Sequence, residues 1–245
     1  MRVSALILAA LAAMSCSSAV TFPVESFDTP GGNKVQIAMI RHGSLAMDYK
    51  GFSIQIDPVS VMGSDTVDYS VFPPADCIFI THEHGDHLSP ETIDALTKES
   101  TRLYCNLSSE EALGKGEVLG NGNTVEINSD IAVTAVPAYN TTEEHAQFHP
   151  EDNGNGYIFI IDGLSIYVSG DTEDIEEMAE FGGIDIAFLS CNQPYTMTVE
   201  QCINAARVLS PKVLIPYHLS DTDTDAIRKG LEDTDIEVRT YDTLR

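Results

Sequence analysis

Between positions 81 and 87 the chain reads Thr81-His82-Glu83-His84-Gly85-Asp86-His87, which sets three imidazoles and one carboxylate within six consecutive residues. Imidazole nitrogen and carboxylate oxygen are the donors that zinc and similar borderline divalent ions take. In an extended turn His82 and His84 share one side, while Asp86 and His87 fan out from the following bend. Gly85 gives the backbone the freedom to make that bend. The two pairs can therefore serve two neighbouring metals. A solvated polar loop is the bland alternative, but four polar residues directly behind the apolar run Cys77-Ile78-Phe79-Ile80 favour a site.

Such a turn has to be carried by strands. Val35 to Ile40, Leu45 to Tyr49 and Phe52 to Ile56 read as strands, the last two joined at Lys50-Gly51. Cys77 to Ile80 has the short apolar composition of a buried strand. Ser89 and Pro90 open a helix as N-cap and first helical residue. Ile131 to Ala135, Tyr157 to Ile161 and Leu164 to Val168 are further strands, the last pair turning at Asp162-Gly163. Thr198 with Gln201 forms a capping box for a helix running to Leu209. Val213 to Ile215, a helix from Thr224 to Leu231 and a strand from Ile236 to Thr240 follow. Hairpins dominate the first half and β–α alternation the second, with no repeat and no linker-like break, so residues 21–245 are expected to form one α/β domain.

Composition removes several function classes. The 245 residues are 43% hydrophobic and 21% charged, a globular balance. Thirteen Lys and Arg face 38 Asp and Glu, a formal charge of −25 that repels nucleic acid and anionic lipid. Residues 1–20 have the shape of an export signal: Arg2, then an almost wholly apolar block from Val3 to Met14, then Ser15-Cys16-Ser17-Ser18. The chain is thus expected to be exported, to the periplasm or the cell envelope. Ala13-Met14-Ser15-Cys16 is similar to a lipobox, in which Cys16 would be lipidated and supply the one membrane attachment; cleavage after Ala19 is the other option. Cys77, Cys105, Cys191 and Cys202 are expected to be buried free thiols, since a domain of this size needs no disulfide staples.

His82-x-His84-x-Asp86-His87 behind an apolar strand resembles the signature of the metallo-β-lactamase superfamily. Ile56-Asp57-Pro58 looks like an early strand end of that family, and Ser169-Gly170-Asp171-Thr172 looks like its Gly-Asp-Thr element. Ile215-Pro216-Tyr217-His218 resembles the strand end that delivers the last His ligand. Arg41-His42-Gly43-Ser44 is similar to a segment of the branch that includes L-ascorbate-6-phosphate lactonase and N-acyl phosphatidylethanolamine phospholipase D. The resemblance spans about residues 34 to 240. It implies a four-layer αβ/βα sandwich with the site at the sheet edges, and Zn2+ as the cofactor, one ion or two, with Mn2+ or Fe2+ as alternatives.

One position departs from the branch: Pro137-Ala138-Tyr139 is followed by Asn140 where a His is usual. Asn is a poor zinc ligand beside imidazole, so a downstream His is expected to complete the first shell. His149 is favoured over His145 because Pro150 and the Gly154/Gly156 run would hold its loop near the Tyr157 strand. The implied ligand set is His82, His84 and His149 on one metal and Asp86, His87 and His218 on the second, with Asp171 bridging. His42 is read as facing the substrate or supporting the site rather than as a ligand. Asp171 alone would pass for a helix cap, and His218 alone for an ordinary strand-end His.

The mechanism that follows is hydrolysis by metal-activated hydroxide, with Asp86 orienting the nucleophile or passing a proton. The substrate class is a small ester, lactone, amide or phosphodiester, reached through loops such as Val59 to Pro74 and Asn106 to Asn123. Two rival classes remain at this level. A nuclease is opposed by the −25 charge, and a non-catalytic binding protein on the same fold with an incomplete ligand set has Asn140 as its main support.

Overall fold

The computed structural model describes residues 22–245; the expected export signal and Cys16 lie outside the described residues. The chain begins with an antiparallel meander of four strands, β1 (Val24–Asp28), β2 (Lys34–Arg41), β3 (Ser44–Tyr49) and β4 (Phe52–Ile56). A two-strand hairpin, β5 (Val61–Met62) and β6 (Asp65–Thr66), stands apart from the main sheet. β7 (Cys77–Phe79), β8 (Arg102–Cys105) and β9 (Glu117–Val118) then add to β4 in parallel. Their crossovers contain helices α1 (Pro90–Leu96) and α2 (Leu107–Leu113).

The second half repeats this plan. β10 (Thr124–Asn128), β11 (Ile131–Ala138), β12 (Gly154–Ile161) and β13 (Leu164–Val168) are antiparallel. β14 (Ile186–Ser190), β15 (Val213–Tyr217) and β16 (Glu237–Val238) continue the sheet in parallel. Helices α3 (Val199–Leu209) and α4 (Thr224–Gly230) serve the parallel crossovers. Each sheet therefore has seven strands, in the orders β1-β2-β3-β4-β7-β8-β9 and β10 through β16.

Side-chain alternation sorts the core into three slabs. Val35, Ile37 and Met39 of β2 and Ile54 and Ile56 of β4 join Val133, Phe159, Ile166, Phe188 and Ile215 of the second sheet in one buried cluster between the sheets. The intervening residues face outward: Ala38, Ile40 and Ile78 pack with Ile93 and Leu96 of α1, and Ala187, Leu189 and Leu214 pack with Cys202, Ala205, Ala206 and Leu209 of α3. This is period-2 patterning on strands buried on both faces. The layers run helix, sheet, sheet, helix, the four-layer αβ/βα sandwich.

The caps form as their sequences dictate. The Ser89 hydroxyl accepts from Thr92 N with Pro90 opening α1, and Thr198 and Gln201 form the reciprocal box on α3. The four cysteines are buried and free.

Three expectations need correction. Asn106 to Asn123 is not an open loop: Asn106 caps α2 through its side chain, Gly114 ends it in a left-handed conformation (φ 67°), and β9 follows. An Asn N-cap and a Gly C-cap eight residues later were the available signals. The last strand keeps only Glu237 and Val238 of the expected Ile236 to Thr240. Conversely β15 runs two residues longer than expected, through Pro216 to Tyr217. In this parallel ladder Pro216 lies opposite Leu189, within a segment buried throughout.

Candidate metal centre

Five strand ends deliver the polar cluster. The turn between β2 and β3 carries His42, and the end of β4 carries Asp57. The segment after β7 carries Thr81 to His87, the end of β13 leads through Gly170 to Asp171, and β15 ends at His218. His42, Asp57 and His218 all have left-handed backbones, with φ of 45°, 45° and 54°. Such conformations are strained for residues with a Cβ and persist where surrounding structure holds them. Here the turns hold each other: His218 N donates to His42 O at 3.2 Å, and His42 N donates to Thr243 O at 3.1 Å.

Glycine is required at two places. A Cβ at Gly170, where φ is 64°, would lie 2.5 Å from the Asn155 carbonyl oxygen, and one at Gly43 would lie 2.7 Å from His87 Cε1.

Second partners fix several ring tautomers. Thr81 Oγ1 donates to Asp57 Oδ2 at 2.7 Å and so is left to accept from His82 Nδ1 at 3.0 Å. His87 Nδ1 donates to Asp57 Oδ2 at 2.8 Å. His149 Nδ1 donates to the Tyr195 carbonyl at 2.9 Å. In each case Nε2 is turned inward, the orientation that partners behind a metal-ligating histidine impose.

The inward atoms converge. Asp171 Oδ2 is 3.3 Å from His218 Nε2, 3.4 Å from His149 Nε2 and 3.9 Å from His82 Nε2, while Oδ1 is 3.4 Å from His87 Nε2. Asp86 Oδ2 is 3.5 Å from His218 Nε2 and 3.6 Å from His42 Nε2. His82 Nε2 and His84 Nδ1 are 3.1 Å apart. Three sets have ligand atoms mutually within 4.8 Å: His82, His84 and His149; His42, Asp86 and His218; His82, His87 and Asp171.

His87 Nε2, His149 Nε2, Asp171 Oδ1 and both ring nitrogens of His218 are buried without a hydrogen-bond partner. Each such atom costs about 1–3 kcal/mol when left unpaired, and four of them (His87 Nε2, His149 Nε2, Asp171 Oδ1 and His218 Nε2) gather in one small volume, a strong departure from ordinary satisfaction. Cations bound there would satisfy these four, and the donor set fits a divalent metal.

Charge states agree with that fit. Burial lowers the pKa of His82, His149 and His42, favouring the neutral form that can ligate. Burial opposes ionisation of Asp171, but His218 and His87 beside it hold its carboxyl well below the usual range. Asp86 is likewise held down against burial by His218 and His42. For His87 burial is outweighed by Asp171 and Asp57, which raise its pKa, so binding a metal there would release a proton.

All the histidines singled out from the sequence except His145 reach this cluster. His145 points away, its Nδ1 3.1 Å from Glu173 Oε1. Glu173 is fully buried and also accepts from Thr141 N, Thr141 Oγ1 and Thr142 N. Asn140 donates to the carbonyls of His145 and Tyr195, so it braces the loop that presents His149. His42, read from the sequence as facing the substrate or supporting the site, stands with Nε2 3.6 Å from Asp86 Oδ2. Asp57 carried no assigned role in the sequence, although its place in Ile56-Asp57-Pro58 at a strand end was the available signal.

A fold of this kind with a His- and Asp-rich centre at its strand ends defines a metallo-hydrolase-like architecture. Residues 36–218 match the family model of the β-lactamase superfamily domain, and the chain belongs to the metallo-β-lactamase superfamily. It is similar to a candidate metal-dependent hydrolase of known crystal structure from Parabacteroides distasonis, with 50% identity over 90% of this chain and 98% of that one and a TM-score of 0.86. A UPF0173 metal-dependent hydrolase from Archaeoglobus fulgidus is 29% identical over 184 residues, covering 67% of this chain and 77% of the relative. The structure of a metallo hydrolase from Ignicoccus hospitalis shares the fold at 20% identity, with 86% and 96% coverage and a TM-score of 0.71.

Proposed function

We propose that the protein is a metal-dependent hydrolase of small molecules. The observation that carries this reading is the set of buried, unpaired imidazole and carboxylate atoms converging around Asp171. His82, His84 and His149 would hold one divalent ion, and Asp86 and His218 a second, with Asp171 between them. Zinc suits the donors, and Mn2+ or Fe2+ would also be accepted by this nitrogen and oxygen set. A bound ion lowers the pKa of water toward neutrality and polarises the group under attack. Asp86, the most exposed carboxylate of the cluster at 37% side-chain exposure, is placed to orient the nucleophile and move its proton.

The substrates this reading covers are small esters, lactones, amides and phosphodiesters. The −25 charge argues against nucleic acid as substrate.

The test is metal analysis of purified protein followed by hydrolysis assays on lactones, carboxylic esters, amides and phosphodiesters. Bound metal with turnover of any of these supports the reading. Absence of metal and of all turnover would replace it with a ligand-binding protein, and cleavage of RNA or DNA with a nuclease. Export with a lipidated Cys16 is a separate proposal, resting on Arg2, the apolar block and Ser15-Cys16. An intact Met1 in mass spectra of the native protein would overturn it.

A further inference from the structure

We infer that His42 is a ligand of the second ion, beside Asp86 and His218, and this rests on the metal-dependent reading above. Nε2 of His42 lies 3.6 Å from Asp86 Oδ2, and its ring centroid lies 3.6 Å from that of His218. The candidate ligand atoms of His42, Asp86 and His218 all fall within 4.8 Å of one another, as closely grouped as those of His82, His84 and His149. Nothing else in the described residues engages this ring: its Nδ1 is buried with no partner, and the separation from Asp86 is too long for a hydrogen bond.

The backbone around His42 is shaped for this placement. A left-handed backbone is disfavoured for a residue that carries a Cβ, yet the tight link between β2 and β3 puts His42, rather than the adjacent Gly43, at φ 45°. Gly43 meanwhile has no room for a side chain because the His87 ring fills that space. A turn designed only for reversal would put glycine at the left-handed position. This one puts glycine against the ring of a site histidine and spends the strained position on an imidazole. The bond from His218 N to His42 O ties the two backbone segments together.

With His42 included, the second ion would draw on His42, Asp86 and His218, with Asp171 Oδ2 3.3 Å from His218 Nε2.

The experiment is titration of metal-free full-length protein with Zn2+ and with Mn2+ by calorimetry, together with visible absorption of the Co2+-loaded form. His42→Asn keeps the left-handed turn, which Asn tolerates, while removing the imidazole. The expected result is two ions per chain in the wild type. In H42N the second should bind at least about tenfold more weakly, the first unchanged, and the Co2+ absorption of the second site altered. Thermal melting of metal-free H42N within a few degrees of wild type shows that the fold is kept. Should melting collapse, His42→Asp, which also tolerates the turn and restores a ligand oxygen, is expected to recover the second ion, and failure to do so overturns the inference. Wild-type affinity for both ions in H42N overturns it, as does weaker binding with unchanged Co2+ absorption, which would make His42 a positioning residue. A wild-type protein that binds one ion overturns this inference alone, whereas one that binds none overturns the hydrolase reading with it.

Discussion

His87 and Asp57, thirty positions apart in sequence, meet through a 2.8 Å hydrogen bond between Nδ1 and Oδ2, with both side chains entirely buried. Asp57 also accepts from Thr81 N and Thr81 Oγ1, and Thr81 in turn supports His82. One carboxylate beneath the site therefore orients two of its imidazoles. Removing its charge should be felt at the metal rather than in the fold. Asp57→Asn is expected to weaken metal binding about 10–100-fold, the range for partners that stand behind a ligand, with secondary structure retained. Calorimetric metal titration and circular dichroism check this, and unchanged affinity would show that Asp57 is dispensable to the site.

The two downstream histidines offer a sharper contrast. His149 Nε2 faces Asp171, whereas His145 is committed to Glu173. His149→Ala should remove at least one equivalent of bound metal or weaken it by tenfold or more, and His145→Ala should leave metal content at the wild-type level. Elemental analysis of both variants decides it, and the opposite ranking would show that the 141–149 loop is arranged differently in solution.

Much of this was legible in the sequence because ligands that are contiguous stay together when the chain folds. His82 to His87 is such a block, and the capping residues Ser89 and Thr198 act within one helical turn, so both could be read locally. The role of Asp57 and the approach of His42 were not legible, because each depends on which strand ends become neighbours: β4 beside β7, and the β2–β3 turn beside β15. Among the elements, the two-residue strands β5, β6 and β9 and the buried β14 escaped notice, as did β1 and β10. Their sequences, VESFD and TVEIN, alternate between exposed and half-buried positions and contain no fully buried residue. Only pairing with the long strands β2 and β11 makes them strands. α2 was missed for a related reason: its LSSEEAL sequence buries only Ser109, so it has no apolar stripe to reveal a helix.

Glu173 gives a pH prediction with a defined sign. Burial works against its charge, but His145, Thr141 and Thr142 outweigh it and hold the carboxyl below the ordinary 4.5. A depressed folded-state pKa means that the unfolded chain takes up the proton first as pH falls. The stabilisation is complete above about 4.5 and is lost progressively below it. Metal-free protein should therefore lose melting temperature below that pH. Glu173→Gln should melt lower than wild type at neutral pH, and the gap should shrink as acid protonates the wild-type residue. A gap that stays constant down to pH 3 would mean that the charge of Glu173 contributes nothing.

The strongest test of chemistry lies with the two inward carboxylates. Asp171 contacts the histidines of both candidate ions, and Asp86 is the partly exposed carboxylate beside His218 and His42. Asp86→Asn preserves shape but removes the negative charge and the capacity to take a proton. Turnover should fall by roughly 10² or more, the scale of losing a positioned acid–base group. Asp171→Asn should lower turnover and also loosen metal, because a neutral amide neither offsets nor bridges two cations as a carboxylate does. The two variants are therefore separable: after saturation with metal, D171N should regain part of its activity while D86N should not. The measurements are turnover of whichever ester, lactone, amide or phosphodiester the wild type hydrolyses, at limiting and saturating metal, with thermal melting as the control for folding. If both variants bind metal normally and keep wild-type turnover, neither carboxylate takes part in hydrolysis and the binding-protein reading replaces the catalytic one.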